Sequence, residues 1–563
     1  MSSANGDDRP AHPVQAGAPV ATSPRRSGDT RHRPAPDRLR LVLGWVAVAG
    51  IVVSVLVMVA VSVAGPSLSV VNMPRPAAGP PWWIYLHPGA AEVTFALWGA
   101  VAAGGIGVIA GLVAVSRGAR PPVRLILAFA ALAVGVLTVL PAAGSTDILD
   151  YAANGRMAAT GHSPYVETPL ELKNSGDPVG QWIPPTWDTS VSVYGPVATA
   201  EEWAAAELGG TSMARITFWL KLWNSFAFGL VVLLLDRALR SDPGRRLRGH
   251  LLWTANPLLW WEIVASGHID GLAAAFGLLA ILLLRIRPGI RPSGAPGEAA
   301  GPADPAPPGQ PAWTRFVLAG LFIGVAAAIK IPYAAFGIGV IWAALGGRAG
   351  PSRAWRRSVT ALAAAAAGFL VVLAPVYAVA GHPAISVLIS RGPGTTWDTM
   401  YQIFYRPLGY TEFGAFLVPP HLSAVAAVAF FAVAILAFLR FPDGTPQWPA
   451  LSPALALSLA WLLVWSYQRP WYDVMAICLL ALYPASRLDW LVLGRLILTA
   501  PVYLPGVPGP IPAWVNNAIN VVGEVVAPWA RLIAALAFIV LCVFGWWGWR
   551  DRVPGQPALR PLI

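Results

Sequence analysis

A succession of apolar stretches, nearly free of charge, limits what this chain can fold into more than any other feature. They fall near residues 41–64, 91–115, 123–142, 215–235, 251–264 and 271–284, then 316–329, 333–345, 359–380 and 424–439. Four more follow, near 451–465, 471–482, 490–504 and 525–547. A stretch of roughly 17–25 apolar residues crosses a bilayer as helix, so the sequence predicts an all-α integral membrane protein of about fourteen spans. Several of the stretches are shorter than that and carry Pro. Composition agrees: 56% of the residues are hydrophobic, 12% are charged and mean hydropathy is +0.59. A soluble domain carries roughly twice that charged fraction.

The formal charge of +12 points to orientation and not to nucleic acid, because the Arg residues cluster between the apolar stretches. Arg38 and Arg40 precede the first span, with four more Arg just before them; Arg117, Arg120 and Arg124 follow the second; Arg237, Arg240, Arg245, Arg246 and Arg248 follow the fourth. Further clusters follow the sixth and eighth and close the chain. Every second connection is therefore basic, which places both termini in the cytoplasm by the positive-inside rule. Residues 1–40 read as a disordered basic tail, 41–287 as a first membrane half and 288–312, rich in Pro, Gly and Ala, as a flexible cytoplasmic linker. Residues 313–547 read as a second membrane half and 548–563 as a cytoplasmic tail. The connections left outside include two long ones, 143–213 and 381–422. Their interleaved Trp and Tyr argue for order.

The first long loop is acidic and opens with Ser145-Thr146-Asp147-Ile148-Leu149-Asp150-Tyr151. Helical spacing would put Asp147 and Asp150 on one face of an interfacial helix, with a second such helix near 197–208. An acid where bilayer meets water can deprotonate an acceptor hydroxyl; the plainer alternative is a helix cap. The short turn Gly267-His268-Ile269-Asp270 either orients a substrate or is an ordinary polar turn capped by Asp270. Lys330 and Arg469, both placed outside, could meet a lipid phosphate or simply snorkel. Lys221, two turns into the fourth span, is a weaker candidate that pairs within the bundle. The two cysteines, Cys478 and Cys542, form neither a metal-ligand spacing nor a disulfide framework. No Walker or Rossmann fingerprint is present, so neither a nucleotide-sugar nor a nucleic-acid partner is expected.

These residues resemble a known family. Asp147-Ile148-Leu149-Asp150-Tyr151, Gly161-His162-Ser163-Pro164-Tyr165, Val193-Tyr194-Gly195-Pro196 and Asn256-Pro257-Leu258 carry the likeness. Gly267-His268-Ile269-Asp270 and Pro470-Trp471-Tyr472 continue it in order. The chain is similar to the actinobacterial polyprenol-phosphate-mannose-dependent α-1,6-mannosyltransferases, which have the GT-C glycosyltransferase fold. The resemblance implies a polyprenyl-phosphate sugar donor, a glycolipid or mannan acceptor within the bilayer and an active site on the outer face of the plasma membrane. It implies an inverting displacement with Asp147 as general base and Asp150 as its competitor. Tyr151, Tyr194, His268, Asp270, Trp471 and Tyr472 would hold donor or acceptor, and Lys330 and Arg469 would offset phosphate charge. No cofactor is expected, and a divalent metal requirement is not legible. A transferase for another lipid-linked sugar, or a flippase for such lipids, is the alternative.

Overall fold

The protein is described by a computed structural model over residues 38–285, 312–346, 355–390, 394–413, 418–441 and 447–545. Most of the expected N-terminal tail, nearly all of the 288–312 linker, part of the 381–422 loop and the C-terminal tail lie outside these residues, with their Arg clusters. Among the described residues there is no β-strand.

In chain order the helices are α1 (Arg38–Val63), α2 (Ala90–Ser116), α3 (Val123–Val139), α4 (Asp147–Ala159), α5 (Pro169–Asn174), α6 (Pro196–Gly209) and α7 (Met213–Leu239). There follow α8 (Pro243–Leu252), α9 (Pro257–Leu259), α10 (Asp270–Leu283), α11 (Ala312–Ile329), α12 (Gly337–Ala344) and α13 (Trp355–Ser390). The rest are α14 (Gln402–Tyr405), α15 (Leu422–Arg440), α16 (Leu451–Val464), α17 (Asp473–Leu482), α18 (Leu488–Thr499), α19 (Ala513–Val521) and α20 (Ala527–Phe544).

Each of the fourteen apolar stretches falls on helix, but they are not fourteen full-length spans. Among the described residues six helices are long and apolar enough to cross a membrane: α1, α2, α7, α13, α15 and the run from α19 into α20. The stretch from Pro257 to Ala265 meets α10 at 113°, and the pair counts as one further broken span. Five more apolar helices have only 10–17 residues. At 1.5 Å per residue these reach roughly 15–26 Å, short of a hydrocarbon core of about 30 Å. Proline explains the interruptions: Pro141, Pro257, Pro332 and Pro470 each stand where a helix stops or starts.

Broken helices leave backbone groups without partners, and polar side chains supply them. Lys221, on α7 and 1% exposed, donates from Nζ to the carbonyls of Leu137 (2.6 Å), Leu140 (2.7 Å) and Pro141 (3.0 Å). It closes the C-terminus of α3, whose last carbonyls have no helical donor. Arg248 on α8 grips both oxygens of Asp489 on α18 and donates to the Tyr483 carbonyl, joining the two halves of the chain. Farther along, buried Arg495 and Arg531 pair with Asp473 and Asp398, and both donate to Gln468 Oε1, at 3.1 and 3.2 Å.

The loop between α3 and α7 folds as α4, α5 and α6, with α4 laid on α6. Gly155 permits the contact, since a Cβ there would overlap the Glu202 carbonyl. The seam between the two helices is acidic. Glu201 and Glu202 have no hydrogen-bond partner for either carboxylate oxygen among the described residues. Burial pushes the pKa of Glu201 to about 8 and that of Glu202 well above its ordinary value, the latter helped by Asp150 and Glu201.

Two outcomes follow from these contacts. Lys221→Met strands three carbonyls and should cost about 3 kcal/mol, read as a lowered unfolding temperature of the purified protein; an unchanged temperature would refute the cap. The acidic seam sets a pH dependence. A carboxylate whose pKa is raised on folding binds more protons in the native than in the unfolded state, so stability falls as pH rises from about 4 toward 8. Glu202→Gln should flatten that fall in a melting series across the same range.

Candidate functional site

Where α3 ends, the chain turns through Ala143 and Gly144, whose backbone amides bond to the carbonyls of Ala265 and Ser69. Ser145 Oγ then accepts from the amide of Asp147, the first residue of α4, at 3.1 Å. Asp147 is thus inside the helix and not its cap. Its carboxylate instead accepts from Trp187 Nε1 at 3.3 Å and keeps 17% of its side-chain surface open.

That surface faces a cavity of 580 Å³, within the range of small-molecule sites. Asp147, Asp150, Tyr194 and Lys330 contribute polar groups to its wall; Trp187, Trp461, Trp465, Trp471 and Tyr472 contribute aromatic faces; Leu388 and Ile389 from the end of α13 add an apolar side. Alternation of aromatic planes with a few convergent polar groups suits a sugar, whose C–H faces stack while its hydroxyls hydrogen-bond.

Around Asp147 the expected residues gather. His268 Nδ1 lies 3.9 Å from Asp147 Oδ2 and 3.5 Å from the Tyr151 hydroxyl, which is itself 3.2 Å from the Tyr194 hydroxyl. The His268 ring stacks on Trp471, with centroids 3.8 Å apart and planes 13° from parallel. The turn that delivers it needs glycine: Gly267 has φ +73°, and a Cβ there would run into Ile148. His268 and Asp270 are both buried. Asp270 Oδ2 accepts from Lys330 Nζ at 2.8 Å and Oδ1 from the Tyr333 hydroxyl at 3.2 Å. Asp270 is the first residue of α10, not its cap, and the charge on Lys330 is held by this carboxylate. The Lys330 ammonium also lies 4.2 Å from the Tyr472 ring centre.

Arg469 sits beside the cavity. Its guanidinium donates to the Tyr467 hydroxyl at 3.1 and 3.3 Å and stacks on Tyr503 at 4.6 Å. Among the described residues it has no carboxylate within ion-pair distance, yet its field reaches Asp147. Burial raises the Asp147 pKa most, and Arg469, Lys330 and the Trp187 hydrogen bond lower it in part, leaving it above its ordinary value. Among the described residues no cation acts on Asp150. Burial and the neighbouring Asp147 push its pKa to about 8, so at neutral pH it is chiefly the neutral acid. Two carboxylates three residues apart thereby sit in different electrostatic surroundings.

Sequence reasoning did not single out Trp187, Tyr333, Tyr467 or Glu262. Glu262 carried a signal nonetheless: it is an acid within an apolar stretch, Trp260-Trp261-Glu262-Ile263-Val264, and such residues are functional candidates by default. Among the described residues no three His, Cys, Asp or Glu side chains are grouped to hold a metal ion.

Residues 47–346 match the family model described as the N-terminal domain of α-(1→6)-mannopyranosyltransferases. The α-(1→6)-mannopyranosyltransferase B of Corynebacterium glutamicum is 25% identical over 427 residues, covering 72% of this chain and 64% of that relative's length. The family match takes in more than half of the chain, including all the helices that bring Asp147, His268, Asp270 and Lys330 together. The chain is a member of the α-(1→6)-mannopyranosyltransferase family.

Proposed function

We propose that this protein is a membrane mannosyltransferase of the GT-C type, transferring mannose from polyprenyl-phosphate mannose to an α-1,6-mannan or lipoglycan acceptor at the outer face of the plasma membrane. The observation that carries this reading is the Asp147 carboxylate, open to an aromatic-walled cavity, with the cations of Lys330 and Arg469 close enough to act on it. The family match and the similarity to the Corynebacterium α-(1→6)-mannopyranosyltransferase B support the sugar. The basic connections support the side, and the short and broken helices are read as completing additional crossings where neighbouring helices satisfy their ends.

The chemistry is a single displacement. The acceptor hydroxyl oxygen bonds to the anomeric carbon as the bond from that carbon to the phosphate oxygen breaks, inverting a β-linked donor to an α-glycoside. The hydroxyl proton passes to Asp147, and the electron pair of the broken bond leaves with the polyprenyl phosphate. Arg469, which has no carboxylate partner among the described residues, offsets the charge gathering on that phosphate. Lys330, already paired with Asp270, adds less and fixes the cavity wall. Trp471, Tyr472 and Tyr194 present faces for the sugars. Asp150, neutral at working pH, keeps a second negative charge away from the base. A raised pKa makes Asp147 a stronger base than an ordinary carboxylate.

Membranes containing the protein should transfer labelled mannose from polyprenyl-phosphate mannose to a short α-1,6-mannoside. Asp147→Asn should lower the rate by about 10²–10⁴-fold, whereas Asp150→Asn should stay within about tenfold of wild type. Absence of transfer by the wild-type protein would overturn the donor assignment and turn attention to other lipid-linked sugars or to lipid flipping. Full activity in Asp147→Asn would remove the base from this site.

The pH profile gives a second check. Asp147 must be ionised to accept the proton, so the rate should fall on acidification, with its low-pH limb above the ordinary carboxylate pKa of about 3.9. Asp150 is already protonated across that limb, so Asp150→Asn should leave the limb in place; a clear shift in either direction would contradict the assigned pair.

A further inference from the structure

His268 presents an unanswered question of hydrogen bonding. Its ring is fully buried, and Nε2 has no hydrogen-bond partner among the described residues. Buried polar nitrogens are nearly always satisfied. The group facing Nε2 is Glu262, with Oε2 at 4.0 Å. Glu262 is 6% exposed and lies on a π-turn, Trp260–Ala265, where the Ser266 amide bonds to the Trp261 carbonyl at 2.8 Å. Such a widened turn is often kept at functional sites. Here it ties acid and imidazole together, since the His268 amide bonds to the Glu262 carbonyl at 3.4 Å.

Two tautomers are open to a neutral ring held this way. With the proton on Nε2, the lone pair of Nδ1 would face the Asp147 carboxylate at 3.9 Å, which is repulsive. With the proton on Nδ1, the ring donates toward Asp147 and Tyr151, and Nε2 is left to accept. Glu262 can be the donor only as a carboxylic acid. Its setting favours that form: it is buried, and among the described residues no Lys or Arg lies within ion-pair distance of it. Burial of the ring opposes a second proton on it.

We propose that Glu262 is a positioning residue for the base: as a carboxylic acid it donates to His268 Nε2 and so holds Nδ1–H toward Asp147. The ring is already clamped by the Trp471 stack and the Gly267 turn, so one hydrogen bond at Nε2 decides which nitrogen carries the proton. The contacts of 3.9 and 4.0 Å close on a small rotation of either carboxyl group, as catalytic hydrogen bonds do when a site fills. The chain acid–imidazole–carboxylate keeps Asp147 ionised and aimed, because a hydrogen bond to the charged form favours it. This rests on Asp147 being the base of the transfer reaction.

The test compares Glu262→Leu and Glu262→Gln with wild type, measuring kcat, KM and the pH profile of mannose transfer. Glu262→Leu should lower kcat by about tenfold with KM little changed, and should move the low-pH limb upward, because Asp147 loses a donor that favours its ionised form. Glu262→Gln supplies an amide N–H to Nε2 and should restore most of kcat and the position of the limb. Equal damage in both variants, or a wild-type profile in both, would overturn the proposal. A readout independent of activity separates this from the assignment of the reaction. The ¹⁵N spectrum of purified protein labelled at histidine, with His268→Gln identifying the resonance, should show His268 protonated at Nδ1 and bare at Nε2. Should wild-type membranes transfer no mannose, the reaction assignment falls and the spectrum still decides the tautomer; protonation at Nε2 would sink the role given to Glu262.

Discussion

Inside a bilayer every backbone N–H and C=O must find its partner within the protein, and the rest of this structure depends on how that demand is met where helices stop. The ammonium of Lys221 takes three carbonyls at the end of α3. Ser266 Oγ donates to the carbonyl of Ala143 at 2.9 Å, and Asn224 Nδ2 to that of Gly267 at 3.2 Å. These bonds let irregular backbone exist at 140–146 and 265–269, and those are the segments that deliver Asp147 and His268. A chain of uninterrupted helices would satisfy its backbone more simply but would have no place to turn polar side chains into a common cavity. The breaks are what make a site possible, and the polar side chains around them are what make the breaks tolerable.

Charge follows the same logic. Most buried cations are spent on structure: Arg248 on Asp489, Arg495 on Asp473 and Arg531 on Asp398. Removing one partner of such a pair costs far more than the pair contributes, so these residues hold geometry and leave little charge over. Arg495 and Arg531 meet at Gln468, the residue before Arg469, and so fix the segment that carries Arg469, Trp471 and Tyr472. Arg469 is the exception in the neighbourhood, bonded to a phenol and stacked on aromatic rings. A cation supported by neutral groups keeps its full charge for a ligand, whereas Lys330, neutralised by Asp270, does not.

The sequence was most legible where a signal is local and periodic. The apolar stretches, the two helices α4 and α6 in the first long loop, and the shared face of Asp147 and Asp150 can all be read from spacing. Span count was less legible, because hydropathy does not say whether a ten-residue apolar helix crosses, half-crosses or turns back. Pro257 and the 113° bend after Ala265 are set by packing. The pairing of Lys330 with Asp270 joins residues 60 positions apart, and that of Trp187 with Asp147 joins residues 40 apart; no local pattern encodes either. The sequence put Lys330 at a helix end, held by a lipid phosphate or snorkelling; α11 does end at Ile329, but the Asp270 partner was invisible. Glu262 was visible as an acid in an apolar stretch, but only the fold shows that it faces His268.

The two carboxylates on α4 show why the site could not be assigned from spacing alone. Asp147 and Asp150 are chemically identical and share one face, and a helix N-terminus favours negative charge at both. What separates them is the third dimension. Asp147 receives Trp187, the fields of Arg469 and Lys330 and the edge of His268; Asp150 receives the seam where Glu202 lies and nothing positive. One acid is thereby kept able to ionise, while burial and its neighbour keep the other protonated to about pH 8. On the proposed mechanism, the acidic seam behind α4 therefore bears on the reaction without touching it. Were Asp150 and Glu202 ionised, their charge would add to that of Asp147, raise its pKa further and leave less of the base in its working form. Burying that seam, at some cost in stability, is how the helix carries two carboxylates and presents one.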